Sequence, residues 1–126
     1  MRILLPLVAG LLAGPALAAA PSLQALSGWQ AGQWRAAEVG GHPAAPICAA
    51  SPETMLLAGR PNAGCVFTVI EDTSNMAVVT YRCAGGRQGR TEVRRDTSDL
   101  FTVDAQGLEG GRPFASRTEW RRAGRC

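Results

Sequence analysis

The stretch CVFTVIEDTSNMAVVTYRC, residues 65–83, begins and ends on a cysteine and decides how the chain folds. Its two apolar runs, Val66–Ile70 and Met76–Tyr81, are rich in β-branched residues, which favour strands. The intervening EDTSN, residues 71–75, has the polar composition typical of a turn. The stretch therefore predicts a β-hairpin.

The register of this hairpin follows from the alternation of side chains between the two faces of a strand. One register aligns three pairs of similar residues: Val69 with Val79, Phe67 with Tyr81, and Cys65 with Cys83. Directly opposed residues have Cβ atoms about 4.5–5.5 Å apart, which is close to the separation that a disulfide bridges. We therefore predict a disulfide between Cys65 and Cys83 that stabilises the fold by roughly 3 kcal/mol.

The four cysteines are spaced in a way that favours structural disulfides over chemistry. None of them belongs to the Cys-x-x-Cys pair typical of redox centres, and no closely spaced ligand pair predicts a zinc site. With Cys65 joined to Cys83, the remaining pair is Cys48 with Cys126. The sequence favours this pairing but leaves all three possible connectivities open.

The first residues have the layout of a secretory signal peptide. Arg2 provides the positive start, Ile3–Leu12 the apolar segment, and Ala16–Ala18 the small-residue cleavage site. Prolines and glycines interrupt the apolar run, which argues against a membrane-spanning helix. We expect residues 1–18 to be removed and residues 19–126 to form one disulfide-stabilised β-domain in the periplasm or outside the cell.

The rest of the chain predicts more short strands, joined by turns, and one short helix. SPETMLLAG, residues 51–59, predicts a helix of about two turns with Ser51 as its N-cap. GGHPAAP and GGRPF, residues 40–46 and 110–114, predict a loop and a turn. Further strands are expected at residues 33–39, 89–96, 100–107 and 115–126.

Short strands separated by turn signals predict a mostly β fold. We expect a single small antiparallel sheet or a partly closed β-barrel with one short helix, stapled by disulfides. The segment 89–96 has one apolar interior residue, Val93, and is expected to be a solvated or edge strand.

Charge is distributed unevenly along the chain. Residues 19–81 contain two arginines and four acidic residues, whereas residues 82–126 contain ten arginines and six acidic residues. A basic second half favours an anionic partner, or else an ordinary solvated sheet face with interspersed charges. Export and the lack of interleaved basic and aromatic residues argue against nucleic acid as a partner.

The sequence predicts no catalytic, cofactor-binding or metal-binding residues. His42, the only histidine, lies in a Gly/Pro-rich loop without the packing that fixes the position of a general base. An enzyme would instead depend on carboxylates such as Asp99, Asp104 or Glu119.

Six aromatic residues fall in strand-like segments, and core packing is the first interpretation for them. A concave sheet or small barrel lined by the same rings would alternatively hold an apolar ligand. These residues are Trp34, Phe67, Tyr81, Phe101, Phe114 and Trp120.

Ordered short motifs give the chain a resemblance to a known family. They are GQWR (32–35), CAASPE (48–53), GCVFTV (64–69), VTYRCAG (79–85), VDAQGLEGGRPF (103–114) and the terminal GRC (124–126). In this order they resemble the domain-of-unknown-function 3617 family of small exported bacterial proteins. The resemblance implies an exported, disulfide-bearing, mostly β domain, and it implies no catalytic residues.

These observations favour an exported, non-enzymatic domain that binds a partner protein or a small apolar or anionic ligand in the cell envelope. Two alternatives stay open, an inhibitor of a cell-wall enzyme and a carboxylate-dependent enzyme. The sequence does not identify the ligand, the partner or the oligomeric state.

Overall fold

Seven antiparallel strands make up a single open sheet in the computed structural model, which describes Gly10 and residues 21–62 and 64–126. The strands are β1 (Gly32–Glu38), β2 (Ile47–Ala49), β3 (Val66–Asp72), β4 (Met76–Arg82), β5 (Gln88–Thr97), β6 (Leu100–Glu109) and β7 (Arg112–Gly124). Their order in the sheet is β2-β1-β7-β6-β5-β4-β3. One helix, α1 (Glu53–Leu56), and two 3-10 turns (Gln24–Leu26 and Ala84–Gly86) complete the described elements. The predicted mostly β fold is confirmed.

The hairpin of β3 and β4 has the predicted register, with Val69 opposite Val79 and Phe67 opposite Tyr81. Beyond Val69 the register shifts at a β-bulge that the sequence did not predict. The shift places Asp72 opposite Ala77, whose side chain belongs to the core. Asp72 is therefore turned toward the N-terminal segment that covers the core.

The strand predicted at residues 89–96 is not an edge strand, so that part of the prediction is wrong. β5 pairs with β4 on one side and with β6 on the other. Thr91 and Val93 are fully buried on one face, and the charged residues that alternate with them, Arg90, Glu92 and Arg94, point to the other face. The polar residues of this strand therefore reflect one solvent-exposed face of an interior strand, and they do not indicate a position at the edge of the sheet.

The hydrophobic core lies on one face of the sheet, which we call the core face. Strand side chains such as Trp34, Phe101 and Trp120 form one layer of it. The other layer comes from α1 and from the N-terminal segment 21–31, including Leu23, Ala25, Leu26, Met55 and Leu56. The opposite face, which we call the outer face, has no such cover among the described residues.

The N-terminal segment 21–31 is held on the core face by hydrogen bonds as well as by packing. The backbone N–H of Gln24 donates to Asp72 Oδ1 at 2.8 Å, and the Arg95 guanidinium donates to the carbonyls of Ala25 and Ser27. Trp29 stacks on Trp34, with ring centroids 5.4 Å apart. This segment is thus part of the folded domain.

Helix α1 is shorter than predicted and begins differently. It is a single turn whose N-cap is Pro52, and no side chain accepts a capping hydrogen bond, so the N-cap role expected of Ser51 is wrong. Ala58 and Gly59 both have positive φ, at 52° and 79°, which ends the helix. A helix this short is stabilised by the burial of Met55 and Leu56 against the sheet.

Strand β7 also begins earlier than predicted, because only Gly110 and Gly111 form the turn and Arg112–Phe114 belong to the strand. Pro113 is tolerated there because the first half of β7 pairs with β6 but not with β1, which joins only from Thr118 onward. Strand β2 was not predicted, since three residues are too few to produce a pattern.

The signal peptide predicted at residues 1–18 lies outside the described residues, apart from Gly10. Within the described part of the chain, no helix has the length and apolar character needed to cross a membrane.

Candidate functional site

The four cysteines named from the sequence are brought together in two disulfides. Cys65 is joined to Cys83 and Cys48 to Cys126, and no free cysteine remains. Cys65 is buried beside Tyr81, whereas Cys48 and Cys126 are both exposed. These cysteines stabilise the sheet at its two ends.

Two of the three carboxylates considered for an enzyme, Asp104 and Glu119, are diagonal neighbours on the outer face, whereas the third, Asp99, lies in a turn. Asp99 lies in the turn between β5 and β6, where its backbone carbonyl accepts a hydrogen bond from Arg122 N–H. Asp104 lies on the outer face within 3.7 Å of Arg117, and Glu119 is one strand away, opposite Thr102. His42 is exposed in the loop after β1.

No metal-binding cluster is seen among the described residues. In residues 21–62 and 64–126, no three His, Cys, Asp or Glu side chains come close enough together to hold a metal ion. Glu92 and Asp104 are directly opposed on β5 and β6, and Arg117 lies 3.7 Å from Asp104.

Five of the six aromatic residues named from the sequence pack in the core, whereas the Phe114 ring lies against the Arg60 guanidinium. Trp34, Phe101 and Trp120 are at most 2% exposed, and Trp34 and Phe101 contact each other with centroids 5.9 Å apart. Phe67 and Tyr81 pack together at 6.1 Å. Among the described residues, the N-terminal segment and α1 pack against these core rings and occupy the space that an aromatic-lined apolar pocket would need.

An open groove of about 690 Å³ lies on the outer face instead, which we call the outer groove. It crosses five neighbouring strands, β3 to β7, and its walls come from two rows of outward-facing side chains. The first row is Val66, Arg82, Gln88, Leu108 and Pro113, and the second is Thr68, Thr80, Arg90, Gln106 and Ala115.

The outer face also contains a buried apolar residue. Val78 lies on this face, between Glu71 and Glu92, and yet is only 1% exposed. An outward-facing residue can be so buried only if neighbouring side chains cover it. The outer face is therefore not a uniformly exposed surface.

Two glycines lie beneath the outer groove where the strands approach most closely. Gly89 leaves room for Tyr81, because a Cβ on Gly89 would lie 2.6 Å from the tyrosine Cζ. A Cβ on Gly107 would lie 2.6 Å from Gly89 Cα and would overlap the carbonyl of Gln88. Glycine inside a strand is typical of such close backbone approaches.

The charged side chains of the outer groove are, within the described part of the chain, both arginines. Arg82 and Arg90 are exposed, and neither is among the ion pairs formed by described residues. They lie on adjacent strands, and Arg90 is two residues beyond Gln88, the residue opposite Arg82. Such diagonal neighbours have Cα atoms about 7–8 Å apart, so both guanidinium groups can reach the same anion.

Apolar side chains lie at both ends of the outer groove. Val66 on β3 is 61% exposed. At the other end Leu108 and Pro113 are directly opposed on β6 and β7, and exposed Ala115 follows on the same face. The groove therefore joins a cationic middle to apolar ends, with threonine hydroxyls and glutamine amides between them.

A second depression of about 430 Å³ continues the outer groove along β5, β6 and β7. The two share Arg90, Gln106 and Ala115. The second one also contains Glu92 and the ion pair of Asp104 with Arg117, so it carries both signs of charge.

A cluster of charged side chains lies near the β6–β7 turn, next to the outer groove. Glu109 pairs with Arg60 and lies 4.0 Å from Arg87, while the Arg60 guanidinium carbon stands 3.7 Å from the centroid of the Phe114 ring. Burial raises the pKa of the Tyr81 hydroxyl above its ordinary value of 10.0, and the nearby Arg60 and Arg87 partly oppose this effect. The cluster joins the segment after α1 to the β6–β7 turn.

The outer groove could not be predicted from the sequence, because its side chains come from five strands. Neighbouring side chains within each row are not adjacent in the chain. Only the strand order brings Arg82, Arg90 and Leu108 together. The alternation of side chains did predict the two faces of β3 and β4, but not that a groove would form on the outer face.

Comparisons with protein-family models, with curated proteins and with solved structures found no match to this chain.

Proposed function

We propose that this protein is exported and acts, without catalysing a reaction, as a binding domain for a small ligand that occupies the outer groove. The observation that supports the proposal is the groove itself. It is an open concavity of about 690 Å³ on regular strands, and it combines apolar, hydrogen-bonding and cationic side chains. Ligand sites in proteins are typically concave, largely apolar and provided with a few polar groups that orient the ligand.

Two disulfides in a chain of this size support export, because disulfides persist in oxidising compartments such as the periplasm and the cell exterior. The signal-peptide pattern of residues 1–18 predicts the same destination. The ordered motifs resembling the domain-of-unknown-function 3617 family fit this proposal, and we propose membership of that family on their strength.

The experiment that tests the proposal compares ligand recovery from two matched tryptophan variants. Ala115→Trp fills the outer groove, whereas Ala123→Trp adds the same side chain to an exposed position further along β7 and outside the groove. Each protein is purified after export and its bound small molecules are extracted for mass spectrometry.

We expect the unaltered protein and Ala123→Trp to carry the same small molecule in near-equal amounts, and Ala115→Trp to lose it. Circular dichroism and thermal unfolding of the three proteins check that the fold is unchanged. Equal recovery from all three, or recovery of no small molecule from the unaltered protein, would overturn the proposal.

The free edge of β3 favours a second candidate function, the binding of an extended segment of an envelope protein. Val66, Val69 and Ile70 are 61%, 43% and 54% exposed on this edge strand. An unpaired strand edge offers backbone hydrogen bonds to an added strand. An inhibitor of a cell-wall enzyme is one form of this function.

Hydrogen exchange tests this second candidate directly. With a panel of cell-wall hydrolases as the added proteins, strand addition is expected to slow exchange of the β3 amides while leaving β6 amides unchanged. No binding to any member of the panel would remove the inhibitor form of this candidate.

A further inference from the structure

We propose that the ligand of the outer groove is an amphiphilic anion, a single medium-length hydrocarbon chain that ends in a carboxylate. This inference rests on the proposed function and names the class of ligand. Arg82 and Arg90 would hold the carboxylate, and the chain would lie across β6 and β7 against Leu108 and Pro113.

Charge complementarity is the first support. Both charged residues that line the outer groove in the described chain are arginines, and they lie diagonally across β4 and β5. Arginine donates paired hydrogen bonds to carboxylates, and such charge-assisted bonds are the stronger kind. Two guanidinium groups on diagonal positions of one groove favour an anion and repel a cation.

The position of the apolar side chains is the second support. Leu108, Pro113 and Ala115 lie at the β6–β7 end of the outer groove, beside the arginines and not among them. From Arg90 on β5 to Ala115, in the same row on β7, the distance is two strand spacings, about 10 Å, and Pro113 lies two residues before Ala115. A ligand that satisfies both ends must carry a charge and an apolar chain of about that length.

The adjoining depression sets the limit of the anion site. Glu92 and Asp104 lie there, and a ligand carboxylate would be repelled by them. Asp104 is already paired with Arg117 at 3.7 Å, so that arginine is not free to attract a ligand. The anionic end is therefore confined to the rows that contain Arg82 and Arg90.

Isothermal titration calorimetry with matched amphiphiles tests the inference on the intact protein. The probes are decanoate, decyltrimethylammonium, decyl maltoside and acetate, all added below their micelle concentrations. We expect decanoate to bind most tightly, acetate to bind at least tenfold more weakly because it lacks the chain, and decyltrimethylammonium not to bind.

Two arginine variants on the same strand provide the control. Arg90→Gln removes a cation from the outer groove, whereas Arg94→Gln removes an exposed cation from the same face of β5 outside the groove. We expect Arg90→Gln to weaken decanoate binding about tenfold and Arg94→Gln to leave it unchanged. Leu108→Gln is expected to weaken decanoate while leaving the binding of acetate unaltered.

Equal affinity for the anionic and cationic amphiphiles, equal affinity for decanoate and acetate, or no binding of decanoate would each overturn the inference. These outcomes leave the proposed function standing if Ala115→Trp still loses a recovered molecule of another class. Failure of the proposed function is instead seen as equal recovery from the two tryptophan variants, whatever the result with decanoate.

Discussion

Thr91 shows how a polar side chain is accommodated at a buried position of an interior strand. Its side chain is completely buried, and its hydroxyl donates to the backbone carbonyl of Leu56 at 2.6 Å. Leu56 is the last residue of α1, where helix carbonyls lack partners within the helix. One hydroxyl thus satisfies the helix end and attaches α1 to β5.

Thr91→Val is expected to lower the free energy of unfolding by about 1–3 kcal/mol, because it keeps the shape of the side chain but leaves the Leu56 carbonyl unpaired. Urea unfolding followed by tryptophan fluorescence measures the change. Thr68→Val, at an exposed position on β3, is the control and is expected to change stability by less than about 0.5 kcal/mol. Equal effects of the two substitutions would contradict the role given to Thr91.

Tyr81 gives the fold a specific sensitivity to alkaline pH. Burial disfavours its ionised form and raises its pKa above 10.0, so the folded state retains the proton at a pH where the unfolded state has lost it. The stabilisation is complete below the ordinary pKa and is lost as the pH rises through the raised value.

We therefore expect the free energy of unfolding to fall as the pH rises above about 10, and to fall less in Tyr81→Phe. Denaturant unfolding at a series of pH values measures both proteins. Tyrosinate absorbance follows the ionisation directly, since the chain has one tyrosine. A pH dependence identical in both proteins would show that Tyr81 is not its source.

At the scale of the elements, β5 and β6 approach each other closely where Gly89 and Gly107 are directly opposed, beneath the outer groove. Side chains at these positions would strike Tyr81 or the neighbouring backbone. The sequence shows two ordinary glycines in strand-like segments, and their spacing gives no sign that they meet across the sheet.

Gly107→Ala is expected to destabilise the protein by roughly 1–3 kcal/mol, because the methyl group overlaps the backbone of Gln88 and Gly89, which cannot move away cheaply. Gly41→Ala is the control. A Cβ there, in an exposed loop, comes no closer than 3.2 Å to Glu38, so a smaller loss is expected. Chemical unfolding that ranks the two variants equally would contradict the close approach.

The two disulfides differ in the length of chain that they close, because the sequence separation is 18 for Cys65 and Cys83 and 78 for Cys48 and Cys126. In the chain-entropy account these loops correspond to stabilisation of about 3 and about 4.5 kcal/mol. We expect the Cys48→Ala/Cys126→Ala double variant to lose more stability than Cys65→Ala/Cys83→Ala. The difference in stability between the two variants is reduced because Cys65→Ala also removes a buried side-chain atom from the core.

Thermal unfolding of both double variants beside the oxidised parent measures these losses. We expect the melting temperature to be highest for the parent, lower for the variant without Cys65–Cys83, and lowest for the variant without Cys48–Cys126. A variant that lacks Cys48–Cys126 and is as stable as the parent would contradict the account.

The sequence predicted contacts between β3 and β4, which are neighbours in the chain, but not contacts between strands that are distant in it. The β3–β4 hairpin was predicted in register because alternation and short range determine it, as Val69 and Val79 show. The bulge after Val69 and the interior position of β5 could not be predicted, since both depend on neighbours that no local pattern reveals. The outer groove belongs to the same class, because it exists only when five strands are in order.

At the scale of the whole molecule, the two faces of one sheet have different tasks. The core face is filled by aromatic side chains and covered by the N-terminal segment and α1. The outer face carries the outer groove, with Arg82 and Arg90 at its middle. Binding on the outer face therefore requires no opening of the core.

An amide chemical-shift map tests this central claim most directly. Isotope-labelled protein is titrated with decanoate and decyl maltoside, and the shift of every backbone N–H is followed. With decanoate we expect the largest chemical-shift changes in residues 88–90 and 106–108, beneath the outer groove. We expect no change in the segments that cover the core face, around Leu23, Leu26 and Leu56. Shifts centred on the core cover, or no shift with either probe, would contradict the account.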